Sequence, residues 1–217
     1  MLPPYQNLLI PDQHHSVLTH DRDFQILTLV SQDGMNRLTR NSANSLTLEI
    51  AKLVSAAQSS AKPLIICGEH NFSVGADLNE IAALTGPEAY AFSAMGQALM
   101  DAIASYPAPV MAAIHGHCMG GGLDLALACH RRIAAPNAVF GHRGAALGLI
   151  TGWGGTQRLP RLIGKGRALE MLVAAEKLAA HRALEIGLVD AIAGDPVAEA
   201  VMQLHGITER NVQTDSR

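Results

Sequence analysis

The chain has 217 residues, a formal net charge of −3, 48% hydrophobic residues and 16% charged residues. That length suits one domain, or one with an appendage, around a substantial core, and the composition excludes a disordered chain. The slightly acidic balance excludes a basic nucleic-acid footprint.

Three cysteines, Cys67, Cys118 and Cys129, make no spaced disulfide framework and point to a reducing compartment. The start, Met1-Leu2-Pro3-Pro4-Tyr5, has neither a basic nor an apolar signal region. The most apolar stretch, residues 109–129, is broken by His115, His117, Asp124 and glycines, so it is not read as a membrane span. The expectation is a cytoplasmic protein with no nucleic-acid or membrane partner.

Taken in order, residues 1–15 are rich in proline and polar side chains and are expected at the surface. Residues 17–19 and 24–30, split by His20-Asp21-Arg22-Asp23, predict a hairpin. Residues 31–37 read as a loop. Asn41 or Ser42 is the expected cap of a helix running to about Gln58, with Leu46, Ile50, Leu53, Val54 and Ala57 at helical spacing. Residues 63–67 are continuously apolar, as in a buried strand.

The loop at residues 70–78 sets Gly75 just ahead of Asp77 and an apolar helix start. Its backbone N–H groups can point into a cleft, or Asp77 can simply cap the following helix. Residues 87–105 predict a helix opened by proline. Residues 132–135 and 138–141 predict two short strands around a Pro136-Asn137 turn. Helices are expected over 152–162, 165–175 and 180–186, a short strand over 188–192, and weak helix over 196–205. The polar end, 208–217, is expected to fray. The recurrence of strand, strand, helix argues for an α/β fold with helices packed outside.

The strongest local pattern is Gly116-His117-Cys118-Met119-Gly120-Gly121-Gly122-Leu123-Asp124. An apolar strand, residues 109–114, precedes it, and an Ala/Leu-rich helical stretch, 123–129, follows. Glycine lets backbone approach a ligand closely. The first N–H groups of a helix lack internal partners and carry partial positive charge. Gly120 and Gly121 therefore suit a negative or developing-negative oxygen, with the Asp124 carboxylate on the same side of the first turn. The same pattern also marks tight strand–helix packing without chemistry.

Several of these stretches together resemble the crotonase (enoyl-CoA hydratase/isomerase) superfamily. His70-Asn71-Phe72-Ser73-Val74-Gly75-Ala76-Asp77-Leu78 resembles its F-S-A-G-A-D-L loop, and 114–126 its G-x-x-x-G-G-G-x-[ED]-L-A segment. The likeness continues through Phe140-Gly141, Gly154-Gly155-Thr156-Gln157-Arg158-Leu159 and Ala183-Leu184-Glu185-Ile186-Gly187-Leu188-Val189-Asp190, covering roughly 24–192. It implies a crotonase-like α/β spiral of β-β-α units over residues 1–192. A short, partly disordered C-terminal segment, 193–217, stands in place of the family's longer helical region. The resemblance also implies an acyl-CoA substrate of the kind met in fatty acid metabolism, a homotrimer or hexamer, and no cofactor, coenzyme A being part of the substrate. By motif position the amides of Ala76 and Gly121 form an oxyanion hole for the thioester carbonyl, and Asp124 is the acid/base. Gly75, Asp77, Gly120, Gly144 and Trp153 are expected around the substrate, although Trp153 between two glycines also reads as a packing residue.

Two departures shape the expected reaction. The family's first acid falls on Asp124, shorter than the usual Glu, and its second falls on Gly144, with no side chain. A further acid position used by dienoyl isomerases falls on Gly152. Hydration of simple enoyl-CoA is therefore expected to be slow. Isomerisation remains open, as does decarboxylation or other C–C (lyase) chemistry with a bound anion, such as bicarbonate, at Gly144. So does a non-catalytic acyl-CoA-binding or assembly subunit.

Gly116-His117-Cys118-Met119-Gly120 also fits a nucleophile elbow with Cys118 as nucleophile, for which Asp190 and His205 would complete a triad. His115 and His117 alternate along an extended segment and face opposite sides, so no metal is expected. His142 and Arg143 are expected at the surface or in a supporting role.

Overall fold

The structure, a computed structural model, describes residues 15–57 and 60–214, with 207–214 as backbone alone. The expectations for 1–14 and 215–217 lie outside the described residues. A hairpin of β1 (Ser16–His20) and β2 (Gln25–Leu29) leads through β3 (Arg37–Leu38) into α1 (Arg40–Ala56). β4 (Leu64–Gly68), β5 (Gly75–Ala76), α2 (Leu78–Ala82) and α3 (Gly86–Ala104) follow. Next come β6 (Val110–Ile114), β7 (His117–Met119), α4 (Gly121–Ala128), β8 (Arg131–Ala134) and β9 (Val139–Gly141). A 3₁₀ turn (Arg143–Leu147) precedes α5 (Gly155–Ile163), α6 (Lys165–Ala174), β10 (Leu178–Ala179), α7 (Ala180–Glu185), β11 (Ala191–Ile192) and α8 (Pro196–Thr214).

The chain repeats one unit. A first strand enters a six-stranded sheet of order β1-β2-β4-β6-β8-β11, which is parallel except at the β1/β2 hairpin. A second, shorter strand steps off that sheet, and a helix returns. The second strands β3 and β5 pair in parallel, as do β7 and β9, and a bridge from Ser73 to Cys118 links the two pairs. The result is the spiral of β-β-α units.

β4 and β6 are buried at every residue because both faces of the sheet are covered, which is why they read as unbroken apolar runs. Alternate residues still part company. Leu64, Ile66, Val110, Ala112 and Ile114 face the main core under α1, α3 and α4. Ile65, Cys67, Met111 and Ala113 face Ala200 and Leu204 of α8. No helix among the described residues is long and apolar enough to cross a membrane.

Several boundaries differ from the sequence expectation. Thr39, not Asn41 or Ser42, caps α1: its hydroxyl accepts from Ser42 N–H (3.1 Å), and Ser42 Oγ accepts from Thr39 N–H (2.8 Å). That reciprocal pair satisfies two amides at once, more than a single cap can do. Val54 is exposed, so the buried stripe of α1 is Leu46, Ile50 and Leu53. The strands around Pro136-Asn137 do not pair with each other. The turn carries the chain from the large sheet to a three-stranded one of order β10-β9-β7. Of residues 188–192, only Ala191–Ile192 form a strand, and α8 runs well past residue 205.

Arg132 joins the two ends of the fold. Its buried guanidinium donates to Leu188 O (2.9 Å) and Cys129 O (2.8 Å), and lies 3.2 Å from Asp190 Oδ2, which also accepts from Arg132 N–H (2.8 Å). Removing the carboxylate leaves a buried cation short of its counter-charge. Asp190→Ala should therefore lower unfolding stability by about 2 kcal/mol, read as a lower urea midpoint at unchanged slope.

Candidate active site

The site begins where β7 hands over to α4. Met119 lies in register with Gly141 of β9, and Gly120 N–H donates to Gly141 O (2.9 Å). Gly120 sits at φ 52°, a conformation open to glycine, and turns the chain into a helix buried from Gly122 to Ala128. The exposed end of that helix is its N-terminus, which opens on a cavity of about 770 Å³.

The β5 loop lies directly on this N-terminus. A Cβ on Gly75 would stand 2.6 Å from Met119 O and 2.9 Å from Gly121 N, so only glycine permits the contact. Ser73 holds the loop: its hydroxyl donates to Asn36 O (2.7 Å) and accepts from Gly75 N–H (3.1 Å). The Ala76 amide nitrogen is 3.4 Å from the point where a Gly121 Cβ would stand. Ala76 and Gly121, from separate loops, thus lie side by side on the cavity wall. Gly121 is the first residue of α4, where an N–H has no intrahelical acceptor.

Asp124, one turn into α4, is 2% exposed. Its Oδ2 accepts from the Thr151 hydroxyl at 2.5 Å. Its Oδ1 lies 3.6 Å from Nε2 of His142, and both of these buried atoms lack a hydrogen-bond partner. A Cβ on Gly155 would come within 2.2 Å of Oδ1, so the glycine at the start of α5 makes room for the carboxylate.

His142 takes the second of the two places the sequence allowed it. It is buried, not at the surface, because the β7/β9 register sets it beside Gly120, from which Asp124 is one helical turn away. Arg143 is exposed, as expected. The pairing of distant strands makes His142 a site residue, and its place two residues before Gly144 is the local signal of it.

Of the remaining sequence candidates, Ala76, Gly120, Gly121, Asp124, Gly144 and Trp153 line the cavity. Gly75 lies beneath, against the start of α4. Asp77 does not line the cavity. Its carboxylate caps α2 by accepting from Asn79 N–H (2.8 Å) and Glu80 N–H (3.2 Å). Gly144 is crowded, since a Cβ there would lie 2.9 Å from Leu149 O.

Trp153 both lines the cavity and packs. Its Nε1 donates to Phe92 O (3.2 Å), its ring meets Phe92 at 5.2 Å between centroids, and it covers Gly96 of α3. The edge of the same ring lies 2.8 Å from a Gly121 Cβ position.

The cysteine-nucleophile reading does not survive the geometry. Cys118 is fully buried in β7 and outside the cavity lining, with Sγ 3.6 Å from Gly122 O. Burial pushes its thiol well above the ordinary value, the reverse of an activated nucleophile. Asp190 is engaged with Arg132, and His205 meets the Phe24 ring in a tilted contact at 6.2 Å. No group of metal-ligating side chains gathers among the described residues.

Residues 27–209 match the sequence profile described as Enoyl-CoA hydratase/isomerase. The chain belongs to this family. Its fold superposes on DspI of Pseudomonas aeruginosa with a TM-score of 0.84 at 30% identity, covering 92% of this chain and 77% of that one. An enoyl-CoA hydratase from Bacillus anthracis gives 0.84 at 30% identity, covering 90% and 77%. One from Thermoplasma volcanium gives 0.82 at 30%, covering 89% and 77%.

Burial of all three thiols has a direct consequence. Burial also pushes Cys67 up to about 11 and Cys129 up to about 12. Native protein at pH 8 should resist iodoacetamide, whereas the unfolded chain takes up three labels by intact mass. Fast stoichiometric labelling of Cys118 in the folded state would contradict this geometry.

Proposed function

We propose that the cavity binds an acyl-CoA thioester and that the protein moves a proton next to its carbonyl through an enolate. The observation that carries this reading is the side-by-side placement of Ala76 and Gly121 one helical turn from the buried carboxylate of Asp124. A thioester oxygen seated between the two amides gains negative charge as the neighbouring C–H bond breaks. Fixed N–H donors at a helix N-terminus stabilise that charge without reorganising. Family membership and the enoyl-CoA hydratases among its structural relatives support the same substrate class.

The walls suit an apolar acyl chain: Ile81, Leu84, Phe92, Leu149 and Ile150 line the cavity beside the amide pair. Adding water to a double bond calls for a second acid/base group, and Gly144 supplies none. Crowding by Leu149 O also argues against an anion lodged at Gly144, because a carbonyl oxygen repels it. The favoured reaction is therefore proton transfer between carbons, as in double-bond isomerisation, with slow hydration of crotonyl-CoA. Assembly as a homotrimer or hexamer is proposed from the family likeness, and light scattering at micromolar concentration reads it directly.

Two substitutions test the reading, with butyryl-CoA binding followed by calorimetry and uptake of deuterium from D2O into the acyl chain by mass spectrometry. Gly121→Val drives a branched side chain into the Trp153 ring and toward the Ala76 amide, and should abolish binding or exchange in a folded protein. Asp124→Asn should keep binding and lose exchange by about 10²–10⁴-fold. Unchanged exchange in folded Gly121→Val would remove the oxyanion assignment.

A further inference from the structure

We propose that His142 carries the proton to and from the substrate, with Asp124 fixing its orientation. The assignment rests on the thioester reading of the cavity and names the group that meets the carbon. Asp124 is poorly placed to meet it directly: Thr151 holds Oδ2, while Oδ1 is enclosed between Gly155 and His142. His142 lines the cavity and turns Nε2 toward Oδ1 at 3.6 Å. A carboxylate facing Nε2 selects the tautomer with the hydrogen on that nitrogen, which leaves Nδ1 with a free lone pair for a ligand. A separation slightly beyond hydrogen-bond range can close when substrate binds.

Lys177 and His117 are the other candidates on the cavity wall, and Lys177 has no carboxylate to orient it among the described residues. His117 also lines the cavity, but its Nδ1 lies 3.0 Å from Asn71 Oδ1. The two positions where the family resemblance puts a second acid are Gly144 and Gly152. The pairing of an unpartnered buried nitrogen with an unpartnered buried carboxylate oxygen is costly unless it serves a purpose.

The step balances within the pair. The C–H bond next to the thioester breaks, and its electrons enter the enolate, whose oxygen lies between the Ala76 and Gly121 amides. The proton forms an N–H bond at Nδ1, and the resulting imidazolium is stabilised by the Asp124 carboxylate. Return of that proton to a different carbon of the extended enolate isomerises the chain. Return to the same carbon, after exchange with solvent, labels it. No oxidant, reductant or further reactant is consumed.

The test follows deuterium uptake from D2O into butyryl-CoA, alongside calorimetric affinity. His142→Gln should bind butyryl-CoA as the native protein does and lose exchange by about 10²-fold or more. His142→Ala should regain exchange when imidazole is added to the buffer, which a residue serving only to pack would not do. Undiminished exchange in His142→Gln overturns the assignment and leaves the thioester reading standing with Asp124 as direct base. Parallel loss of affinity and exchange in both variants, with no rescue by imidazole, also overturns it. A native protein that binds butyryl-CoA yet exchanges neither it nor crotonyl-CoA overturns the enolate chemistry and this assignment together.

Discussion

The site depends on the register of β7 against β9. One hydrogen bond, from Gly120 N–H to Gly141 O, marks the point where both strands end. Beyond it one chain enters α4 and the other passes through His142 into the 3₁₀ turn. A slip of one residue would reverse every side chain of a strand. His142 would then leave the neighbourhood of Asp124, and the buried Phe140 would move out of the core. Core packing and site geometry are therefore specified by the same pairing, and the interior that holds Phe140 also aims His142.

Asp124 shows what such a site costs. A carboxylate taken out of water must recover its hydration from the protein. Thr151 supplies one short hydrogen bond, and Gly155, by lacking a side chain, supplies space. The other oxygen faces the imidazole nitrogen at 3.6 Å, with no hydrogen bond to either among the described residues.

Much of the architecture was legible in the sequence because its signals are local. The apolar runs of β4 and β6, the hairpin at the start, and the glycines where β7 meets α4 each follow from a few adjacent residues. The two-residue strands β3, β5 and β10 were not legible, since so short a strand is defined by its partner and not by its own composition. The role of Thr39 was missed because its partner Ser42 looks equally good as a cap when taken alone. At the site, the amide pair and Asp124 were readable from two glycine-bearing loops. Asp77, for which the sequence left both a cap and a substrate contact open, caps α2. His142 was named from its place before Gly144, but its contact with Asp124 was not legible because the two are eighteen residues apart and adjacent only through strand pairing.

The pairing of Asp124 with His142 also bears on why this chain differs from a site with two carboxylates. Two acids close together repel when both are ionised, and each must be separately hydrogen-bonded. An aspartate is one methylene shorter than a glutamate, which withdraws its carboxylate by about 1.5 Å. In this fold the aspartate carboxylate lies against Thr151 and Gly155, and an imidazole faces it at 3.6 Å. Opposite charges, on the proposed reading, develop in the same place when a proton arrives, so the pair attracts at the moment it works. On the proposed reading, shortening the first acid and losing the second are one change: the withdrawn carboxylate needs a relay, and the relay makes a carboxylate at Gly144 redundant. A single relay can lift a proton from one carbon and return it to another. It cannot at once take a proton from water and give one to carbon, and that difference is what separates moving a double bond from hydrating it.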